Sequence, residues 1–263
     1  MTSTRIAIIL LAFALLSSNL LLLNQQARAE PGASLQDPII MGCPDKGWPP
    51  YHFPKGKDQP LGIMPEIFVE ATSTLDYSVE LVWLPEKRAM QRLKQGDIDV
   101  YTKAKEWVAQ PSRYLWSQPV VDSTDVLAFR TGEEWAFNGP TDLDNKVVGT
   151  VLGYRYPTLE PLFLSGNATR MDATNTHIQL KMLLSRRTDA AVINQHVAQW
   201  LIRETPFLTP QQLRFSKKPL ASASYRYVFS THRDWGDFIQ KLDQEMERMR
   251  TDGRMDAILD KYR

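Results

Sequence analysis

A single cysteine, Cys43, occurs in the 263 residues of the chain. One thiol cannot close an internal disulfide or supply a zinc site built on several thiolates, so neither staple is available. An excess of charge of one sign is also lacking: 31 Lys and Arg stand against 30 Asp and Glu, a formal charge of +1. A dedicated nucleic-acid binder would carry a basic surplus for the phosphates, and that class is set aside. The four histidines, His52, His177, His196 and His232, are widely spaced with no H-x-x-x-H pairing, which argues against a metal centre. G-x-S-x-G, the P-loop and G-x-G-x-x-G are all missing, so the common catalytic and nucleotide signatures are gone and no cofactor is expected.

What is present is ordinary for a folded protein. Hydrophobic residues make up 43% and charged residues 23%, which excludes a collagen, a coiled coil or a wholly disordered chain. The length suits one large domain or two modest ones. The first thirty residues are different. Arg5 precedes an uninterrupted apolar stretch, Ile6 to Leu16, then Ser17-Ser18-Asn19, four leucines and Ala27-Arg28-Ala29. A positive start, an apolar stretch and a small-x-small site predict a secretory signal peptide over residues 1–29, cleaved after Ala29. An uncleaved anchor is the competing reading, but the Ser-Ser-Asn interruption weakens an already short span. Cleavage removes Arg5 and Arg28, which takes the net charge from +1 to −1. No cysteine sits at that site, so no lipid anchor is expected, and no second long apolar run follows. A soluble exported protein is the expectation.

Along the mature chain, Glu30 to Asp37 reads as a flexible lead-in and Ile39–Cys43 as a buried strand, with Cys43 a small buried side chain near its end. Pro44, Gly47, Pro49 and Pro50 then impose a loop. Apolar spacing predicts a helix from Pro65, a strand over Val79–Leu84, a helix opened by Pro85 and closed by Gly96, and a strand over Ile98–Tyr101. Alternating strands and helices indicate a parallel sheet with covering helices. The pattern restarts after Gly132 to Pro140: strands at Lys146–Val151 and Asp189–Ile193, with helical segments around Ile178–Leu184 and Val197–Leu201. A late strand, Tyr225–Ser230, precedes a long helix with Trp235, Phe238, Ile239, Leu242, Met246 and Met249 on one face, a packing stripe. Asp252-Gly253 breaks it before a last amphipathic turn over Met255–Tyr262.

Several of these segments, taken in order, resemble one family. They are Trp48-Pro49-Pro50-Tyr51-His52-Phe53, Gly62-Ile63-Met64-Pro65-Glu66-Ile67, Leu93-Lys94-Gln95-Gly96-Asp97-Ile98-Asp99, Trp116-Ser117-Gln118-Pro119, Lys146 to Gly153, Asp189 to Ile193 and Asp252 to Tyr262. The set covers nearly the whole mature chain and is similar to bacterial extracytoplasmic solute-binding proteins of the polar-amino-acid ABC-transporter type. The resemblance implies an α/β fold of the type II periplasmic-binding-protein kind. Two lobes are joined by two crossing strands, with the ligand cleft between them. Lobe 1 would hold residues 36–126 plus 228–263 and lobe 2 residues 127–227. It also implies closure around ligand and a small polar solute, an inner-membrane ABC transporter permease as partner, and a monomer.

In that family a free amino acid is held by an arginine on its carboxylate, by backbone amides, and by an acid on its ammonium. A dry cleft needs such partners, because burying an unpaired charge is prohibitive. Here the usual arginine position falls on Gln110, with Arg113 three residues on, and the acidic position on Asn194. Arg113 is then either the carboxylate partner or a solvated surface residue, and Arg155 is the alternative partner with the same ambiguity. Asn194 can hydrogen-bond an ammonium but adds no charge. The loop aromatics Trp48, Tyr51 and Phe53 offer cleft walls or, alternatively, caps on the core. The family pattern places Tyr101 and Thr102 at a strand end facing the cleft. It places Gly153, Tyr154 and Arg155 in a loop whose amides could cradle an anion. The leading expectation is a non-catalytic binding protein feeding an importer. The alternatives are an exported enzyme on the same scaffold, dehydrating prephenate-like acids with Glu106 or His52 as acid/base, and a solute-sensing module for a membrane sensor.

Overall fold

The computed structural model describes residues 37–263, so the predicted signal peptide and nearly all of the lead-in lie outside the described residues. The chain enters on β1 (Ile39–Pro44), whose Ile39, Met41 and Cys43 face one apolar cluster while Ile40 faces another. That alternation is the two-residue period of a strand covered on both faces. A loop leads to α1 (Ile63–Thr74), which begins two residues before the expected proline. No side chain caps it. Instead the first free amides, Ile63 and Met64, donate to the carbonyls of Pro50 and Tyr51 at 3.0 and 3.1 Å, so the preceding loop satisfies them. β2 (Val79–Leu84) and α2 (Glu86–Gln95) match the reading of Pro85 and Gly96 as punctuation. β3 (Val100–Ala104) starts two residues later than Ile98. β1 pairs in parallel with both β2 and β3.

The next strands escaped the sequence pattern. After the short β4 (Leu115–Trp116), β5 (Val121–Arg130) crosses out of the first half. β6 (Val147–Val151), α3 (Glu160–Ser165), β7 (Thr169–Ala173), α4 (Thr176–Leu184), β8 (Ala190–Asn194) and α5 (Gln195–Glu204) form the second α/β run, with β6 parallel to β7 and β8. β9 (Leu213–Phe215) pairs with β5, and β10 (Ala221–Phe229) returns to the first half. α6 (Gly236–Thr251) and α7 (Arg254–Asp260) close the chain. Phe238, Leu242, Met246 and Met249 of α6 pack into the same cluster as Ile39, Met41 and Phe68, so that stripe is core.

One sheet runs through everything, in the order β2-β1-β3-β10-β5-β8-β6-β7. β10 is antiparallel to β3 on one side and to β5 on the other, and β5 is antiparallel to β8. Each half is covered on both faces. In β5, Leu127 and Phe129 enter one cluster while Val126 and Ala128 enter another, and Tyr227 and Phe229 of β10 oppose Val228 in the same way. At about 1.5–3 kcal/mol per large apolar side chain buried, these clusters supply the main driving force for the fold.

Candidate functional site

A cavity of about 460 Å³ opens at the carboxyl ends of β1 and β3, where ligands of open α/β sheets usually sit. Its wall includes Trp48, Glu86, Tyr101, Thr102, Lys103 and Tyr225. The loop after β1 is set by two glycines that no other residue could replace without strain. Gly47 has φ of 65° and a Cβ there would meet the backbone of Pro54 at 2.7 Å; Gly62 has φ of 103° and would meet the Tyr51 carbonyl oxygen at 2.7 Å. Between them Trp48 and His52 bond each other's backbone, N–H to carbonyl, at 2.7 and 3.1 Å, which presents the Trp48 indole at the cavity.

The three loop aromatics divide. Trp48 lines the cavity and stacks on Tyr154 from the loop after β6, ring centres 5.2 Å apart and 13° from parallel. Tyr51 is fully buried: its ring lies parallel to His196 and its hydroxyl donates to Asn194 Oδ1 at 3.1 Å. Phe53 meets Trp200 edge-on at 5.1 Å and also packs on Tyr262. Tyr51 and Phe53 therefore take the core-capping alternative. His52 also borders the cavity, with Nε2 2.6 Å from Thr102 Oγ1 and Nδ1 without a partner among the described residues. Burial holds its pKa down at about 3, so the ring is neutral.

Tyr101, Thr102 and Lys103 stand together on β3 at the cavity. Lys103 Nζ is paired with Glu86 Oε1 at 2.6 Å and lies over the Trp107 ring. Trp107 in turn meets Tyr225 edge-on at 5.2 Å. Arg113 sits on a single exposed helical turn beside a different groove, shared with Lys94 and Tyr114, and Gln110 is exposed just before it. Neither lines the cavity. Gly153, Tyr154 and Arg155 occupy an exposed loop, and the amides of Leu152 and Tyr154 are spent on the carbonyls of Ala173 and Val151. Asn194 is consumed by structure. Its Oδ1 caps α5 through the amides of His196 and Val197 while accepting from Tyr51, and its Nδ2 donates to Ser123 Oγ at 3.0 Å.

Glu86, Lys103, Tyr225 and Asp125 were not singled out from the sequence. Asp125 lies on β5 directly across from Asn194, and burial raises its carboxyl to about 6, opposed by the Asn194 side chain. Among the described residues it takes part in no ion pair. No local pattern marks it, because its neighbours come from strands far away in sequence.

The continuous sheet with two antiparallel crossing strands and a cavity at the strand ends defines a type II periplasmic-binding-protein fold. The family model for bacterial extracellular solute-binding proteins, family 3, matches residues 40–263, and the chain belongs to that family. Among solved structures, an ancestral arginine-binding protein bound to arginine is 19% identical, covering 87% of this chain and 99% of its own, with a TM-score of 0.62. The second substrate-binding domain of Lactococcus lactis GlnP, in an open conformation, is 15% identical, with 88% and 97% covered and a TM-score of 0.69. The VFT2 domain of Bordetella pertussis BvgS, as a double mutant, is 18% identical, with 86% and 93% covered and a TM-score of 0.61. At these identities the likeness is one of fold. No curated protein matches the chain.

Proposed function

We propose that this protein is a non-catalytic, monomeric periplasmic receptor that captures a small polar solute, an amino acid or a related compound, and delivers it to the permease of an inner-membrane ABC importer. Family membership together with the cavity at the strand ends carries this reading. Residues 36–126 and 228–263 act as one lobe and 127–227 as the other, hinged on β5 and β10. The halves are in contact across the site, through Trp48 on Tyr154 and Tyr51 on Asn194. An acid/base role has little support: Glu106 is exposed outside the cavity wall, and His52 is neutral and engaged with Thr102.

The test is thermal unfolding of the processed protein, stripped of bound solute by refolding, against amino acids, amines and small carboxylates. A ligand that binds only the folded state adds about 2.7 kcal/mol at a hundredfold excess over Kd. A saturable rise in Tm with one chemical class is expected, with the added compound recovered unchanged. No shift with any compound, or its conversion to product, would overturn the reading.

A further inference from the structure

α2 carries four cations, Lys87, Arg88, Arg92 and Lys94, against one acid, Glu86, and that acid is spent on Lys103 at 2.6 Å. All four cations are exposed, with Gln91 and Gln95 between them. At 3.6 residues per turn these six side chains fill one arc of about 160°, opposite the buried Ala89 and Leu93. Among the described residues none of the four is in an ion pair, whereas Arg170 and Arg254 each hold at least two carboxylates. Helix stability does not account for the pattern. Arg92 and Lys94, in the last turn, suit the macrodipole, but Lys87 and Arg88 stand in the first turn, where it disfavours a cation. Arg88 and Arg92 are also a like-charge pair four residues apart, which costs the helix stability.

The helix begins at the solute cavity, with Pro85 and Glu86 on that wall, and ends at a second groove of about 420 Å³ that shares no residue with the first. Leu93 and Lys94 line this groove together with Ser112, Arg113 and Tyr114 from before β4 and Thr231 from after β10. No carboxylate is on its wall, and Asp97, the nearest acid in sequence, lies past the end of α2. Arg113, a second exposed cation here, is in no ion pair among the described residues, and Ser112, Tyr114 and Thr231 add three hydroxyls able to donate. An indented wall of cations and hydroxyls over a buried leucine suits the side chains of a polypeptide. A bilayer would ask for apolar anchors beside the charges, and the outer face of α2 has none, since its apolar side is packed inward.

We propose that the outer face of α2 and the groove at its end form a docking surface for an acidic segment of a partner protein, its carboxylates set against Arg88, Arg92, Lys94 and Arg113. The probe is a labelled peptide of alternating glutamate and serine, with glutamine in place of glutamate as its control, read by fluorescence anisotropy on the processed protein. The acidic peptide is expected to bind, more weakly as salt rises, and the control is not. Arg92→Glu and Arg113→Glu should each weaken binding about tenfold, while Lys217→Glu, the same charge change on an exposed residue between β9 and β10, leaves it within about twofold. All three side chains are exposed, so the unfolding midpoints should match that of the parent protein. Equal losses in the three variants would overturn the proposal, because net charge alone would then set the binding. Failure to bind the acidic peptide would overturn it as well. Phosphatidylglycerol vesicles should not sediment the protein; if they do, and Arg92→Glu releases it, the face belongs to a membrane and the proposal falls. None of these outcomes touches the solute cavity, so the binding-protein reading is tested separately.

Discussion

Burial moves His52 and Asp125 in opposite directions, and the two shape how the protein meets acid. His52 is held at about 3 against an ordinary 6.5, so the unfolded chain takes the proton first. Its contribution is complete above about pH 6.5 and is lost as pH falls from there towards 3. Asp125 is raised to about 6 from 3.8, so the folded chain takes the proton first. Its ionised form costs stability above about pH 6, and that cost is relieved as pH falls from 6 to about 4. Asn194 lies directly across from it on β8, and its side chain opposes the rise without cancelling it. Asp125→Asn should then stabilise the protein at pH 7.5 by about 1–2 kcal/mol, a gain that vanishes near pH 4. Urea unfolding across that range measures it, and a loss of stability at pH 7.5 would mean that the carboxylate is satisfied in the folded state. Cys43 gives a second expectation at this scale. It is 1% exposed and burial pushes its thiol up to about 12. Ellman's reagent at pH 8 should label it only at the rate of unfolding, and rapid labelling of the folded protein would contradict its placement on β1.

Among the elements, the junction of β8 and α5 concentrates the most work on one side chain. Asn194 caps α5, accepts from the buried Tyr51 hydroxyl and donates to Ser123. Asn194→Ala removes a cap worth about 1 kcal/mol and the hydrogen bonds to the Tyr51 hydroxyl and Ser123, worth about 1 kcal/mol each, leaving that hydroxyl only the Asp122 carbonyl at 3.4 Å. A loss of about 2–3 kcal/mol in chemical unfolding is expected. A loss below 0.5 kcal/mol would return Asn194 to a purely ligand-facing role. Asn194→Asp keeps the acceptor but sets a second carboxylate across from Asp125, so it too should destabilise above pH 6. The cap explains why Asn194 stands out in the sequence while its role there does not. Position in a family pattern points to the residue, and only the β5–β8 pairing shows what its atoms touch. Elements bounded by punctuation were legible, as with α2 between Pro85 and Gly96. β5 was not, since one end is polar and the other is buried on both faces, so it carries neither a clean alternation nor a long apolar run. The sequence offers Trp48, Tyr51 and Phe53 alike as cleft walls or core caps, and only Trp48 comes to line the cavity. Their divergence depends on Trp200 and Tyr262, which reach Phe53 only in the folded chain.

At the scale of the molecule, the question is whether the two halves behave as one body. Their cores are distinct clusters, yet three kinds of connection cross between them. The sheet continues unbroken, with β5 and β10 in register from Ala221 opposite Asp125 to Tyr225 opposite Val121. α5 sends Val197 and Trp200 into the cluster that holds Phe53 and Tyr262. Tyr51 reaches from the first loop to Asn194 at the end of β8. Opening one half would therefore break strand pairing, strip apolar area from Trp200 and cost the Tyr51 hydroxyl its shorter hydrogen bond, to Asn194. Each loss is about 1 kcal/mol or more, so partly unfolded forms should be scarce. Scanning calorimetry should show a single transition whose calorimetric and van't Hoff enthalpies agree, and ligand should move that transition as a unit. Two resolved transitions would show that each pair of apolar clusters holds its half alone. Trp200→Ala separates the possibilities further. If the halves are coupled through α5, the whole transition should fall, by about 2–4 kcal/mol in unfolding free energy. If they are not, only the part of the melt belonging to residues 127–227 should move.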